Sequence, residues 1–225
     1  MLILALDTTT RAGSVAVVRD GAPLVEIVGD AALTHGQRLP ADIARACDRA
    51  GVLLRDIDLF AVAAGPGSFT GLRVGIAAIQ GLAFALQRQV VPVPTLEAIA
   101  ETPRAAGARV AAWMDAQRQE VFAAIPGEIE ATSGLPEDIL AAWLSETDLR
   151  GIEFHGDGAV RYADRIYNVL GDYVRVAASV PPLAVAIGAI AHREPGRAVS
   201  PHAIVPVYIR RSDAELARDR RPGPR

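Results

Sequence analysis

Residues 2–7 read Leu-Ile-Leu-Ala-Leu-Asp, an unbroken apolar run closed by an acid. A run so short and continuous is the pattern of a strand buried on both faces, since a strand wetted on one side would alternate apolar and polar residues. Two strand-like segments follow, 13–19 (GSVAVVR) and 23–28 (PLVEIV). Asp20-Gly21 separates them, a dipeptide suited to tight hairpin turns. The Thr-rich stretch 8–12 joins the first pair, so three successive strands open the chain.

Residues 37–50 then place Leu39, Ile43, Ala46 and Ala50 at helical spacing, with Pro40 tolerable in a first turn. Residues 58–63 form a fourth strand, which Gly65-Pro66-Gly67 ends. A long helix is predicted over 69–87, a fifth strand over 90–93 and a short helix over 95–101. Three antiparallel strands, helix, strand, helix, strand is not a doubly wound order. It is that of the ribonuclease-H-like half-domain found in the actin, Hsp70 and sugar kinase class. Pro103 to Gly107, rich in Pro, Gly and small residues, marks the boundary. Beyond it the order repeats loosely. Strands are predicted at 108–114 and 120–125 around Asp115-Ala116-Gln117-Arg118, a helix at 137–144 and a strand at 152–155. Helices are predicted near 160–170 and over 182–192. The expectation is an α/β, actin-like ATPase fold in two lobes, residues 1–102 and 108–225, the second reduced because the chain turns early at Pro126-Gly127.

Charge bounds the function. The 23 basic residues are outnumbered by 26 acidic ones, for a net charge of −3. A protein that grips an RNA backbone unaided needs a basic patch, because Lys and Arg supply the affinity. The densest basic run, Arg210-Arg211 and then Arg218 to Arg225, is interleaved with Asp213, Glu215 and Asp219 and reads as a solvated tail rather than an RNA-binding arm. Cys47 is the only cysteine, which excludes an internal disulfide and a multi-cysteine zinc site. It is expected to be a buried bystander. No apolar stretch reaches membrane-spanning length, and no basic segment precedes Asp7, so a cytoplasmic protein is expected.

Gly65-Pro66-Gly67-Ser68-Phe69-Thr70-Gly71 is the most informative segment. Its glycines permit unusual backbone angles, and Ser68 can cap the following helix. Such a helix start can hold an anion, or it can be a tight capped turn with no ligand. Asp7, Thr8, Gly65, Gly67, Ser68 and Thr70 are the candidate nucleotide- or phosphate-binding residues. Phosphotransferases of the actin-like class usually place a glycine close behind the acid of this first turn. Here threonines follow Asp7 and the first glycine is Gly13, which favours a capped turn over a magnesium site. In the helix at 69–87, Arg73, Gln80 and Gln87 make one narrow polar stripe, and nearly everything else is apolar or small. That helix is either enclosed by its own chain or packs on its own sheet and on another chain as well. His35, His155, His192 and His202 show no metal-ligand spacing, and Ser68 lacks a nucleophile-elbow pattern. No catalytic residue and no metal site is assigned.

LILALDTTTRAGSVAVV, THGQRLP, GPGSFTGLRVGIAAIQGLAFAL and VVPVPTLEAIA together resemble the TsaB (YeaZ-like) family. The likeness continues more loosely through MDAQRQEVFAA, FHGDGA and PVYIRR, and so spans nearly the whole chain. It implies a non-catalytic dimerisation or scaffold subunit of the machinery that forms N6-threonylcarbamoyladenosine next to the anticodon of tRNA. It further implies pairing with the transferase TsaD, an ATPase partner TsaE, homodimers when alone, and contact with tRNA only through the complex. No tightly bound cofactor is implied, with ATP or ADP held only together with the partner subunit. The implied interface uses the helices at 37–50 and 69–87, through Leu39, Ile43, Ala46, Arg73, Ile76, Ala78, Ile79 and Leu82. The catalytic relative carries a metal-binding His-x-x-x-His after a Pro-Val. Here Pro92-Val93 leads to Thr95 and Ile99 in those places, which argues against a transferase. Gly36 is expected to loosen the start of the first helix. The competing reading is an actin-like phosphotransferase or a glycoprotease-type hydrolase.

Overall fold

A computed structural model describes residues 1–102 and 107–209. The first sheet holds β1 (Leu2–Asp7), β2 (Ser14–Arg19), β3 (Ala22–Val28), β4 (Leu59–Gly65) and β5 (Gln89–Pro94) in the order β3-β2-β1-β4-β5. β1 is buried along its whole length, as its apolar run requires. It runs antiparallel to β2 and parallel to β4, giving the predicted ribonuclease-H-like order.

One face of this sheet carries α1 (His35–Ala50) and α2 (Phe69–Ala85), packed on Leu4, Leu6, Val15, Val17, Phe60 and Val62. α1 starts two residues before the predicted position, and Gly36 does not loosen it. Gln37 turns its side chain back to accept from the Thr34 N–H at 3.0 Å, which secures the first turn.

The second sheet is built from β6 (Val110–Asp115), β7 (Val121–Ile125), β8 (Ile129–Gly134), β9 (Glu153–His155) and β10 (Arg175–Val176), ordered β10-β9-β6-β7-β8. Read from β8, this is the first sheet's order repeated. The second lobe is therefore reduced in strand length, β9 having three residues and β10 two, and not in strand number. β8 and β10 were not expected. β8 is a partly exposed edge strand with only two apolar residues, Ile129 and Ala131, and β10 is too short to leave a pattern. α4 (Pro136–Glu146) and α6 (Ala163–Leu170) cover the outer face, where Trp113, Trp143 and Phe154 meet edge to face. The single helix predicted near 160–170 is two, α5 (Asp157–Arg161) and α6, broken at Tyr162 by its φ of −109° and ψ of 23°.

Two helices join the lobes. α3 (Thr95–Ala100) follows the first sheet and packs against β6 of the second. α7 (Ala184–Arg193) follows the second sheet and packs against β1 and β2 of the first. One continuous core, including Ile3, Val18, Val91, Ile99, Met114 and Ile187, results. Caps reinforce the crossing: Ser14 Oγ accepts from Ala184 N–H at 3.0 Å, and Glu26 Oε1 accepts from Val185 N–H at 3.2 Å.

After α7 the chain returns along the first lobe as an extended strap. Val199 pairs with Val90, Pro201 O accepts from Gln80 Nε2 at 2.9 Å, and Val207 N–H donates to Ala64 O at 2.7 Å. Among the described residues no helix is long and apolar enough to cross a membrane. The Arg-rich tail singled out above, from Arg210 onward, lies outside the described residues, as does most of the Pro103–Gly107 boundary.

Candidate functional site

Between the lobes lies a cleft of about 1000 Å³, lined by Thr9, Thr34, Ser68, Thr70, Asp115 and Asp157 among others. The equivalent turns of the two sheets border it, together with residues 31–36, the start of α2 and the strap at 207–209. In the first turn, Asp7 Oδ1 accepts from the Thr9 N–H at 2.8 Å and the Thr9 hydroxyl at 2.6 Å. Burial pushes the Asp7 carboxyl above the ordinary range; the Thr9 bonds oppose that shift and the charge of Asp157 adds to it. Gln117 repeats the motif by donating its N–H to Asp115 Oδ1 at 3.1 Å. Asp115 N–H in turn donates to Asp157 Oδ1 at 3.0 Å, and Arg161 Nη1 reaches Asp115 at 2.7 Å. Burial raises the Asp157 carboxyl as well. Gln117, Arg118 and Gln119 take φ values of 61°, 54° and 64°, three consecutive left-handed residues without a glycine, a sparsely populated arrangement.

The α2 N-terminus closes on the first turn. Thr8 Oγ1 donates to Gly71 O at 2.8 Å, and Ser68 N–H donates to Thr9 O at 3.0 Å. Ser68 Oγ caps the helix by accepting from Gly71 N–H at 3.2 Å. The contact is so close that a Cβ on Gly67 would lie 2.6 Å from Thr9 Cβ, and one on Gly75 would lie 2.1 Å from Thr8 Oγ1. These glycines exist for approach of the turn, and the threonines fill the space that a glycine-rich turn would leave open.

The actin-like fold implies a nucleotide, and the residues present do not fit one. The N–H groups of Thr9, Gly13, Asp115, Ala116 and Gln117 already bond oxygens of the chain itself. A polyphosphate would find these donors taken and would face Asp115 and Asp157. Of the candidate phosphate residues, Gly67, Ser68 and Thr70 do line the cleft. Asp7, Thr8 and Gly65 do not: they are buried, and Gly65, at a φ of +114°, is packed against Val207 O.

Thr95 and Ile99, standing where the catalytic relative has histidines, are both buried in α3. Among the described residues no three His, Cys, Asp or Glu side chains are placed to hold a metal ion. Sequence reasoning assigned nothing to His155, which is buried with Nδ1 2.9 Å from Thr102 Oγ1 and Nε2 3.3 Å from Glu153. Nor did it single out Arg38 and Asp42, a buried ion pair on α1. An Arg at i and an Asp at i+4 on an otherwise apolar stripe was the available signal.

The expected partner interface needs correction. Leu39, Ile43, Ala46, Ile76 and Ile79 face the chain's own sheet and are buried, because one side of an amphipathic helix must cover the core. Of the eight residues proposed, Arg73 is exposed and Ala78 and Leu82 are half-buried. What α2 presents outward is the row Arg73, Ala77, Gly81 and Phe84, with Phe84 77% exposed. Beside it α1 presents Pro40, Ala41 and Ala44.

A duplicated ribonuclease-H-like sheet around an interlobe cleft defines an actin-like ATPase fold, here with filled turns and an apolar outer helix. The family model for TsaD, tRNA N6-adenosine threonylcarbamoyltransferase, matches residues 29–142. The chain is 29% identical to the tRNA threonylcarbamoyladenosine biosynthesis protein TsaB of Bacillus subtilis over 96% of each chain. YeaZ from Pseudomonas aeruginosa matches with a TM-score of 0.75 at 32% identity, over 92% of this chain and 99% of that one. The activator of the 2-hydroxyisocaproyl-CoA dehydratase from Clostridium difficile, at a TM-score of 0.51 and 12% identity over 86% of this chain and 95% of its own, shares the fold alone. The chain belongs to the TsaD family as a TsaB (YeaZ)-like member.

Proposed function

We propose that this chain is the scaffold subunit of the machinery that forms N6-threonylcarbamoyladenosine in tRNA, contributing no catalytic group and supporting a TsaD-like transferase. The observation that carries this reading is the outer row of α2. A 17-residue helix whose only charge is Arg73 and whose exposed side holds Ala77, Gly81 and an almost bare Phe84 is poorly suited to water. Small residues beside one large aromatic allow a second helix to approach closely and leave it an anchor.

The occupant of that row is the TsaD-like transferase in the working complex and a second copy of this chain when the subunit is alone. A TsaE-like ATPase joins the pair. Contact with tRNA comes through the complex, in keeping with the acidic balance of the chain, and the protein works in the cytoplasm. Nucleotide, where it is held, is held together with the partner and not in the filled turns described above. The phosphotransferase and hydrolase readings gain no support from the family relationship or from the cleft.

The test is co-purification with the TsaD-like protein of the same cell, followed by tRNA modification assays with and without this subunit. The chain alone is expected to yield no modified adenosine, and its removal is expected to abolish modification by the mixture. Turnover by the chain alone would overturn the scaffold role.

A further inference from the structure

The β1–β2 turn, residues 8–13, is held from two sides by the helices that carry the apolar face. From α1, His35 Nε2 lies 3.0 Å from Thr10 O, and Arg38 donates to Ala12 O. Arg38 also donates to His35 Nδ1 at 2.8 Å and to Asp42, whose other oxygen takes a bond from Arg45. A guanidinium only donates and a carbonyl only accepts, so His35 stands between them as the neutral Nε2–H tautomer. Burial, and then the Arg38 charge, hold its pKa below the usual histidine range. From α2, Thr8 bonds Gly71 O and Thr9 O accepts from Ser68 N–H. On its inner side the same turn lines the cleft with Thr9 and Thr10, and Thr9 supplies both donors to Asp7.

The Arg38–Asp42 side chains are 5% and 3% exposed. Apolar side chains of similar volume would serve stability as well as a buried ion pair does, so this pair argues for a role in position. Room has been left for it: a Cβ on Gly29 would overlap the Arg38 guanidinium, and one on Gly13 would crowd both His35 and Arg38. Arg38 Nε has no partner, so the guanidinium is satisfied only on the sides facing the turn and α1.

We propose that the turn at 8–13 couples the α1/α2 face to the interlobe cleft, with His35 and Arg38 as the positioning residues that carry the link. The proposal rests on the reading of that face as the partner's seat. A partner that shifts the start of α1 against α2 drags the Thr10 and Ala12 carbonyls with it. Thr9 then moves against Asp7, and the first wall of the cleft changes shape. By linkage, anything that restrains that wall alters partner affinity to the same degree.

The experiment is amide hydrogen exchange on the full chain, alone and with the TsaD-like transferase, for wild type, Arg38→Lys and His35→Leu. Lysine keeps the charge but cannot span Ala12 O, His35 and Asp42 at once. In the wild type, α1 and α2 are expected to gain protection on binding, and exchange in the 8–13 turn is expected to change by about tenfold or more. In whichever variants fold, the helices should still be protected while the change in the turn falls below about twofold. Protected helices with an unchanged turn, or a full response in a variant, would overturn the coupling and leave the partner face standing. A complex that forms without protecting α1 or α2 would overturn the partner face and the coupling together.

Discussion

The two lobes repeat one strand order and one turn, yet their outer helices differ in kind. α2 has a single charged residue in 17, whereas the outer helices of the second sheet are charged: α4 has Glu137, Asp138 and Glu146 in 11, and α6, which follows β9 as α2 follows β4, has Asp164 and Arg165 in 8. The turns differ in step with the helices. Both turns border the cleft, but the Asp7 turn has its acid buried, is filled by Thr8 and Thr9, and is tied to both α1 and α2. The Asp115 turn stands in the cleft wall, held by Arg161 and bent through three left-handed residues. In the first lobe, then, a nearly uncharged outer helix and a turn clamped by the helices beside it occur together.

Matched substitutions on the two outer helices test that difference most severely. Ala77→Glu places a charge in the exposed row of α2, where a partner would bury it without a counter-ion. The expected loss is about 3 kcal/mol or more in partner affinity, over a hundredfold, with the melting temperature of the isolated chain little changed. Ala141→Glu, on the exposed side of α4, should leave partner affinity as it was. Equal effects at the two sites by titration calorimetry would erase the distinction.

Trp143→Ala probes whether the lobes are separate in stability. Trp143 packs edge to face on Trp113 inside the second lobe, and its removal should cost about 3–5 kcal/mol. Because α3 and α7 each pack on the other lobe's sheet, the loss should lower one shared unfolding transition. Calorimetry showing two transitions, with only one of them shifted, would mean that the crossed helices do not unite the lobes.

The sequence carried the architecture well where pattern was strong. The apolar run of β1, the Asp20-Gly21 hairpin and the helical spacing of α1 and α2 each forced one local answer, and their order named the fold. It failed where the signal is sparse or depends on distant partners. β8 has only two apolar residues, Ile129 and Ala131, too few to mark a strand, and the cleft residues Asp115 and Asp157 belong to turns that meet only in three dimensions. The interface residues illustrate the same limit. Helical periodicity identifies an apolar helix but does not say which of two apolar sides faces the sheet, and Ile76 and Ile79, in the interface that the resemblance implies, face inward.

Asp7, in the first turn, sharpens the comparison through pH. Burial raises the folded pKa of Asp7 above its ordinary 3.8, so the folded chain holds that proton more tightly than the unfolded chain does. Its contribution to stability is therefore fully present below the unfolded pKa and is lost as pH rises through the folded value. Asp7→Asn keeps an oxygen for the Thr9 N–H and hydroxyl while removing the charge. Thermal melts should show the variant more stable than wild type near neutral pH, with the gap closing as pH falls toward the unfolded value. Asp115→Asn should instead cost a little stability by weakening the contact with Arg161. A destabilised Asp7→Asn at neutral pH would show that this carboxylate is held by more than Thr9.

The smallest expected effect concerns how the crossing helices are secured. α3 begins at Pro94 without a side-chain cap, whereas α7 borrows its cap from the other lobe, 170 residues away, through Ser14 Oγ. Ser14→Ala should cost about 1 kcal/mol, the usual value of a lost N-cap. In a chain of this length that lowers the melting temperature by about 2–4 °C. Exchange at Ala184 should quicken while α3 is untouched. If α7 frays and the melting temperature holds, the cap secures only the end of a helix. A shift of the whole transition means that Ser14 helps hold the second lobe's last helix on the first lobe's sheet.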